Sequence, residues 1–156
     1  MKPAAVVVAI AAAGTVALAS AGCGVQWHAH NREKAEEVAR GARVEVGPWP
    51  PDPGSGDVLV NGTPAGMSPR VDDTPIPARL LTGRFVYDLV YNPPATRLLR
   101  EAAAEGCQTL GGLEMLVAQA EEQFHWWTGS KPMNGVMRDA AIKRLEEFAR
   151  DEDYVV

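Results

Sequence analysis

Apolar residues in this chain gather in short runs separated by turn residues, and the runs alternate with amphipathic stretches. The run Phe85 to Tyr91 shows no regular alternation, which suits a parallel strand covered on both faces. A turn at Pro93-Pro94 follows, then a predicted helix from about Ala95 to Glu105, a short strand near Cys107 to Leu110, and a longer helix entered through Gly111-Gly112. Strand, helix and strand in that order make a βαβ unit, so the expected class is α/β with a mostly parallel sheet. Sites in such sheets lie beyond the carboxyl ends of the strands. Tyr91-Asn92 and Gly111-Gly112 fall at two of these ends.

Upstream, Asp57 to Asn61 reads as a compact buried strand running into Gly62-Thr63-Pro64-Ala65-Gly66-Met67. Glycines there permit close backbone approach, and Asn61 and Thr63 place short donors and acceptors beside it. Asn-Gly is also a common turn signal, so the ligand and turn readings both stand. Ser68 to Leu81 is predicted irregular, with a helical turn near its end. Gly47 to Gly56 contains four prolines and reads as a surface loop. Gly41 to Glu45 is predicted as a short third strand.

The first 23 residues admit two readings. One Lys, an apolar core and small residues ending at Cys23 imitate a leader with a lipidated cysteine, although Ser20 is unfavourable in its place. Alternatively Ala4 to Ala9 is the first strand and Ala11 to Ala21 an alanine-rich helix, followed by a second strand from Val25 to Ala29. The second reading is the stronger, because the strand pattern continues through the supposed cleavage point, and it gives a Rossmann-like three-layer domain. Asn31 and Arg32 then follow the second strand, with a short helix from Glu33 to Arg40. In a dinucleotide-binding half that is where the adenosine ribose is read, and an Arg suits a 2'-phosphate. A solvated residue at a helix start explains Arg32 equally well. His28 and His30 share a strand face but lack the neighbouring ligands of a metal site.

In the second half, Leu116, Ala120 and Phe124 recur every four residues and are predicted to face the sheet, with Met115 and Gln119 one turn apart on a neighbouring face. Gln119 can hydrogen-bond a substrate hydroxyl through its amide, or simply face solvent. Phe124, Trp126 and Trp127 are expected to cap an edge of the core. A last helix is predicted over about Asn134 to Arg150, burying Val136, Ala140, Ile142, Leu145 and Phe148.

Composition narrows the function classes. A chain of 156 residues, 46% hydrophobic and 22% charged, is expected to form one globular domain over 1–156. A net charge of -5 and a pI near 5.2 give no basic surplus for general binding to nucleic acid or anionic membranes. Cys23 and Cys107 fit neither a disulfide scaffold nor a four-ligand zinc site.

The segments VNGTPAGM (Val60 to Met67), YDLVYNPPAT (Tyr87 to Thr96) and GGLEMLVAQAEEQF (Gly111 to Phe124) closely resemble the nicotinamide-cofactor domain of the shikimate and quinate dehydrogenase family. The resemblance is strong over 57–129 and degenerate over 1–56. It implies an NADP-binding portion, with NADPH as the usual reductant, in the reversible reduction of 3-dehydroshikimate to shikimate within a cytoplasmic aromatic-biosynthesis pathway. By motif position it implies that Asn31, Arg32, Asn61, Thr63, Leu89, Gly112 and Met115 bind cofactor. Tyr91 and Gln119 would bind a shikimate-like molecule.

Two departures bear on that expectation. The family's catalytic lysine and aspartate belong to a substrate domain that precedes the cofactor domain, and this chain is expected to lack that domain. The family's glycine-rich loop is replaced by Ala9-Ile10-Ala11-Ala12-Ala13-Gly14, where alanine adds a Cβ in the path of a pyrophosphate. Lys34, Lys131 and Lys143 are predicted on surface helices or turns, so none replaces the catalytic lysine. Little or no dehydrogenase activity is therefore expected from this chain alone. A non-catalytic remnant or scaffold of the same fold is the second expectation, and an exported or Cys23-anchored protein the third. A homodimer or a partner domain remains open.

Overall fold

The computed structural model describes residues 5–9, 24–42, 44–81 and 85–152, of which 5–9 are described through their backbone. Six strands form one sheet: β1 (Ala5–Ala9), β2 (Gly24–Trp27), β3 (Glu45–Val46), β4 (Val58–Asn61), β5 (Phe85–Asp88) and β6 (Gln108–Leu110). Among the described residues four helices accompany them: α1 (Arg32–Ala42), α2 (Arg97–Ala104), α3 (Gly112–Thr128) and α4 (Val136–Glu152), with a 3-10 turn at Ala78–Leu80. The predicted helix over 11–21, the loop after β1 and Cys23 lie outside the described residues. No helix among the described residues is long and apolar enough to cross a membrane.

Every strand pair is parallel, and the order is β3-β2-β1-β4-β5-β6. The direction of winding reverses between β1 and β4. Right-handed crossovers then put helices before and after the reversal on opposite faces, giving a Rossmann-like three-layer domain. Side-chain alternation sorts the core accordingly. On one face Val25, Trp27 and Val60 pack with Ala39 of α1, joined by Val58, Tyr87 and Leu89. On the other, Val86 packs with Leu98, Leu99 and Ala102 of α2 and with Ile76 and Leu81, joined by Leu59.

The structure changes several boundaries. β5 stops at Asp88, short of Tyr91, because the Asp88 carboxylate accepts from the Val90 amide and turns the chain. The third strand is Glu45–Val46 and not 41–45, since α1 runs on through Gly41 to Ala42, a good helix former, and the β-branched residues begin only at Val44. α2 begins after Thr96, whose hydroxyl accepts from the Leu99 amide as an N-cap. α3 ends at Gly129, in the left-handed region at φ 69°.

The faces of α3 and α4 also differ from expectation. Leu113 and Val117, one turn apart, are the buried pair on α3, whereas Leu116, Ala120 and Phe124 are half-buried. Leu113 and Val117 pack with Leu145, and Leu116, Met137, Ala141 and Ile142 join this cluster between the helices. Ala140 is exposed, as are Val136 and Phe148, because α4 turns Met137, Ala141 and Leu145 inward. A Glu114–Arg138 ion pair spans the same two helices near their starts. Trp126 and Trp127 do not cap the core: they are 84% and 76% exposed, on the half of α3 beyond its contact with α4.

Candidate functional site

The ends of β4 and β5 are held together by a buried polar chain. Parallel register sets Asn61 beside Asp88, and both point to the α2 side of the sheet. Asn61 donates from Nδ2 to Asp88 Oδ1 at 2.9 Å, and its Oδ1 accepts from the Thr63 amide at 3.0 Å and the Thr63 hydroxyl at 2.7 Å. Thr96 donates its hydroxyl to Asp88 Oδ2 at 2.5 Å while capping α2. The Val90 amide reaches Asp88 Oδ1 at 3.0 Å. Asn61, Asp88 and Thr96 are fully buried.

Burial raises the Asp88 carboxyl above its ordinary value, and the donors from Thr96, Val90 and Asn61 pull the other way without cancelling it. This chain of bonds fixes the loop after β4, the bend after β5 and the start of α2 against one another. Gly66, with φ 87°, lies in the same loop, and a Cβ there would stand 3.2 Å from the Asp73 carbonyl and 3.5 Å from Thr96 Cβ.

A second junction joins β5 to α3. The Leu89 amide donates to the Asn61 carbonyl at 3.0 Å, and the Gly112 amide to the Val90 carbonyl at 3.2 Å. A Cβ on Gly112 would lie 2.2 Å from the Leu89 carbonyl oxygen, so only glycine lets the start of α3 approach the strand end this closely. Met115, half-buried, follows within the first turn of α3, and Gln119 is exposed one turn further along. Tyr91 is 43% exposed just past the end of β5. Asn61, Thr63, Leu89 and Gly112 are thus linked through the ends of adjacent elements, with Met115, Gln119 and Tyr91 at their margin.

Asn31 and Arg32 stand apart, beyond β2. Asn31 caps α1 by accepting from the Lys34 amide at 3.0 Å, and Arg32 pairs with Glu36 at 2.7 Å in an exposed i, i+4 arrangement. Arg32 borders a groove between α1 and β3 shared with Arg40 and Val46. A separate cleft of about 330 Å³ opens between the carboxyl ends of β2 and β4, bordered by His30, Trp49, Thr63 and Ala65. His28 and His30 do not converge. His28 is buried with Nδ1 against the Pro48 carbonyl, while His30 is exposed with its ring on Trp49. Lys34, Lys131 and Lys143 are exposed, as predicted. No group of three or more His, Cys, Asp or Glu suited to a metal occurs among the described residues.

Sequence reasoning singled out Asn61 and Thr63 but not Asp88 or Thr96, which complete the same network. An Asp ending an apolar run and a Thr immediately before an amphipathic helix are the local signals for them.

Residues 112–142 match the shikimate 5'-dehydrogenase C-terminal domain family. The NADP-dependent shikimate dehydrogenase of Archaeoglobus fulgidus is 47% identical over 93 residues, covering 59% of this chain and 35% of that protein. Its counterpart from Moorella thermoacetica is 39% identical over 142 residues, covering 80% and 48%. The shikimate 5-dehydrogenase of Thermus thermophilus, solved in complex with NADP(H) and shikimate, superposes with a TM-score of 0.79 at 32% identity over 93% of this chain and 56% of that chain. The chain therefore spans about half the length, or less, of the relatives it matches.

Proposed function

We propose that this chain, which matches the C-terminal half of shikimate dehydrogenases, is the NADP-binding portion of an oxidoreductase of that type, acting on a shikimate-like substrate brought to it by a further domain. One observation carries the reading. The residues of the family-like segments meet at the carboxyl ends of β4 and β5, next to the point where the strand order reverses, which is where open parallel sheets bind nucleotides.

The residues present fit such a cofactor at that edge. Thr63, fixed through both its amide and its hydroxyl by Asn61, presents a rigid loop, and Gly112 keeps the space at the strand end free of a side chain. When bound, NADPH supplies the hydride delivered to the substrate's carbonyl carbon. Leu89, Gly112 and Met115 would form the wall for the nicotinamide end, and Tyr91 and Gln119 would orient the substrate's hydroxyl groups from exposed positions. Their contribution is positioning, which lowers the barrier by holding the reactants in near-attack geometry. A general acid for the carbonyl oxygen is assigned to the further domain, since the described lysines stand on exposed surface positions. We place the protein in the cytoplasm, with the shikimate pathway.

Ligand-linked stabilisation tests this reading. NADPH at about 100 times its dissociation constant raises stability by about 2.7 kcal/mol. The thermal midpoint of the 156-residue chain is expected to climb as NADPH is added through the millimolar range and to ignore added nicotinamide alone. A cooperatively unfolding chain whose midpoint does not move with NADPH would reject the proposal.

A further inference from the structure

The outer face of α3 carries a stripe that is mostly open to solvent. Met115, Gln119, Gln123 and Trp126 recur at steps of four, four and three residues, so they line one side of the helix over about 16 Å. The buried pair Leu113 and Val117 faces the other way, into the cluster shared with α4. Gln119 and Gln123 are exposed and Trp126 is 84% exposed, while Met115, at the margin of the strand-end site, is half-buried. Met133, Val136 and Phe148, further exposed apolar residues of this half, stand on the loop after α3 and on α4, off the stripe.

The stripe is self-complementary. Its members are nearly symmetric about the middle of the segment, apolar at both ends and amide between them. A second α3 laid antiparallel across it about a two-fold axis sets Trp126 against the partner's Met115 and Gln119 against the partner's Gln123, and each contact occurs twice. A thioether sulfur and an aromatic ring attract, and two side-chain amides satisfy one another as donor and acceptor. The stripe itself is uncharged, although α3 also carries Glu114, Glu121, Glu122 and His125. Glu122 is exposed and borders the stripe, so antiparallel pairing brings its two copies to the same flank.

We infer that α3 pairs with α3 of a second copy of this chain, antiparallel and about a two-fold axis, with Trp126 as the anchor. The pattern selects this occupant: the stripe presents no charge for an ionic partner to meet, and what it does present is matched by its own reversal. An exposed tryptophan at the end of an uncharged stripe is the residue type that dominates interface energies. One helix pair buries less than the roughly 1,200–2,000 Å² of a standard interface, so the dimer is weak, with a Kd on the order of 10 μM. Because the pairing covers Gln119, a second copy and a substrate-bearing domain exclude one another on this face. The inference does not depend on the cofactor reading above.

The test is sedimentation equilibrium of the 156-residue chain from about 1 to 200 μM, a range that brackets the expected Kd, on the wild type and on Trp126→Ala, Trp127→Ala and Glu122→Gln. The wild type is expected to show a monomer–dimer equilibrium. Trp126→Ala weakens it about thirtyfold or more, the loss typical of an interface anchor. Trp127→Ala, about 100° further round the helix and off the stripe, changes it by less than about threefold. Glu122→Gln removes the like-charge contact and tightens the dimer about threefold, and added salt tightens the wild type in the same direction. All three changes fall at exposed positions, and unchanged circular dichroism verifies that each variant is folded. A chain that stays monomeric throughout, a dimer indifferent to Trp126→Ala, or one weakened equally by Trp127→Ala would overturn the pairing.

Discussion

Replacing Asp88 by Ala removes the acceptor for three buried donors at once: Asn61 Nδ2, the Val90 amide and the Thr96 hydroxyl. Each unsatisfied buried donor costs about 1–3 kcal/mol, and partial rescue by water in the new space brings the expected total to about 3–5 kcal/mol. That is a large share of the roughly 5–15 kcal/mol available to an ordinary domain. Asp88→Asn keeps one carbonyl oxygen for Asn61 and Val90 and turns an NH2 toward Thr96, so it is expected to cost about 1–2 kcal/mol.

The pH dependence has a definite sign. Because burial raises the folded-state value of Asp88 above its ordinary 3.8, the native chain holds more protons than the unfolded chain between those two values. This group's contribution to stability therefore falls as pH rises through that window and recovers as pH is lowered. Asn does not titrate, so the cost of Asp88→Asn is expected to be smaller at neutral pH than in mild acid. Urea unfolding at equilibrium, with linear extrapolation at several pH values, measures each quantity. A cost below about 1 kcal/mol for Asp88→Ala, or a cost of Asp88→Asn that grows with pH, would refute the reasoning.

Gly112→Ala gains helix propensity but drives a Cβ into the Leu89 carbonyl, and overpacking of that kind outweighs the gain, for a net loss of about 1–3 kcal/mol seen as a lower thermal midpoint. Arg32→Ala breaks only an exposed ion pair and leaves stability within about 0.5 kcal/mol, but lowers affinity for NADPH much more than for NADH; equal losses would remove Arg32 from 2'-phosphate recognition. Gln119→Ala, in an enzyme completed with a substrate domain, is expected to reduce kcat/KM for shikimate about tenfold with no change in unfolding, and unchanged kinetics would end its proposed role.

The parallel sheet was legible because its strands are short β-branched runs set off by Gly and Pro, and those properties are local. What the sequence concealed depends on register or on packing between helices. Asp88 reads as a polar break in an apolar run until β4 and β5 pair and set Asn61 beside it. Trp126 and Trp127 suggest a core by their size, yet α3 makes its buried contact through Leu113 and Val117 and carries both tryptophans beyond it. On α4 Ile142 and Leu145 turn inward as expected, but the bulky Val136 and Phe148 mislead in the same way, because the less conspicuous Met137 and Ala141 complete the inward stripe. The ring contact between His30 and Trp49 joins residues 19 apart across α1 and β3, and no periodic pattern reports such a contact.

The most direct test of the account is to titrate an isotope-labelled chain with NADPH and follow the backbone amides by NMR. The largest shift changes are expected at Thr63 and Ala65, at Leu89 and Val90, and at Gly112 and Met115. Changes gathered instead around Val58, Val86 and Cys107 at the amino ends of the strands, or an unchanged spectrum at millimolar NADPH, would contradict a cofactor site at the carboxyl edge of this sheet.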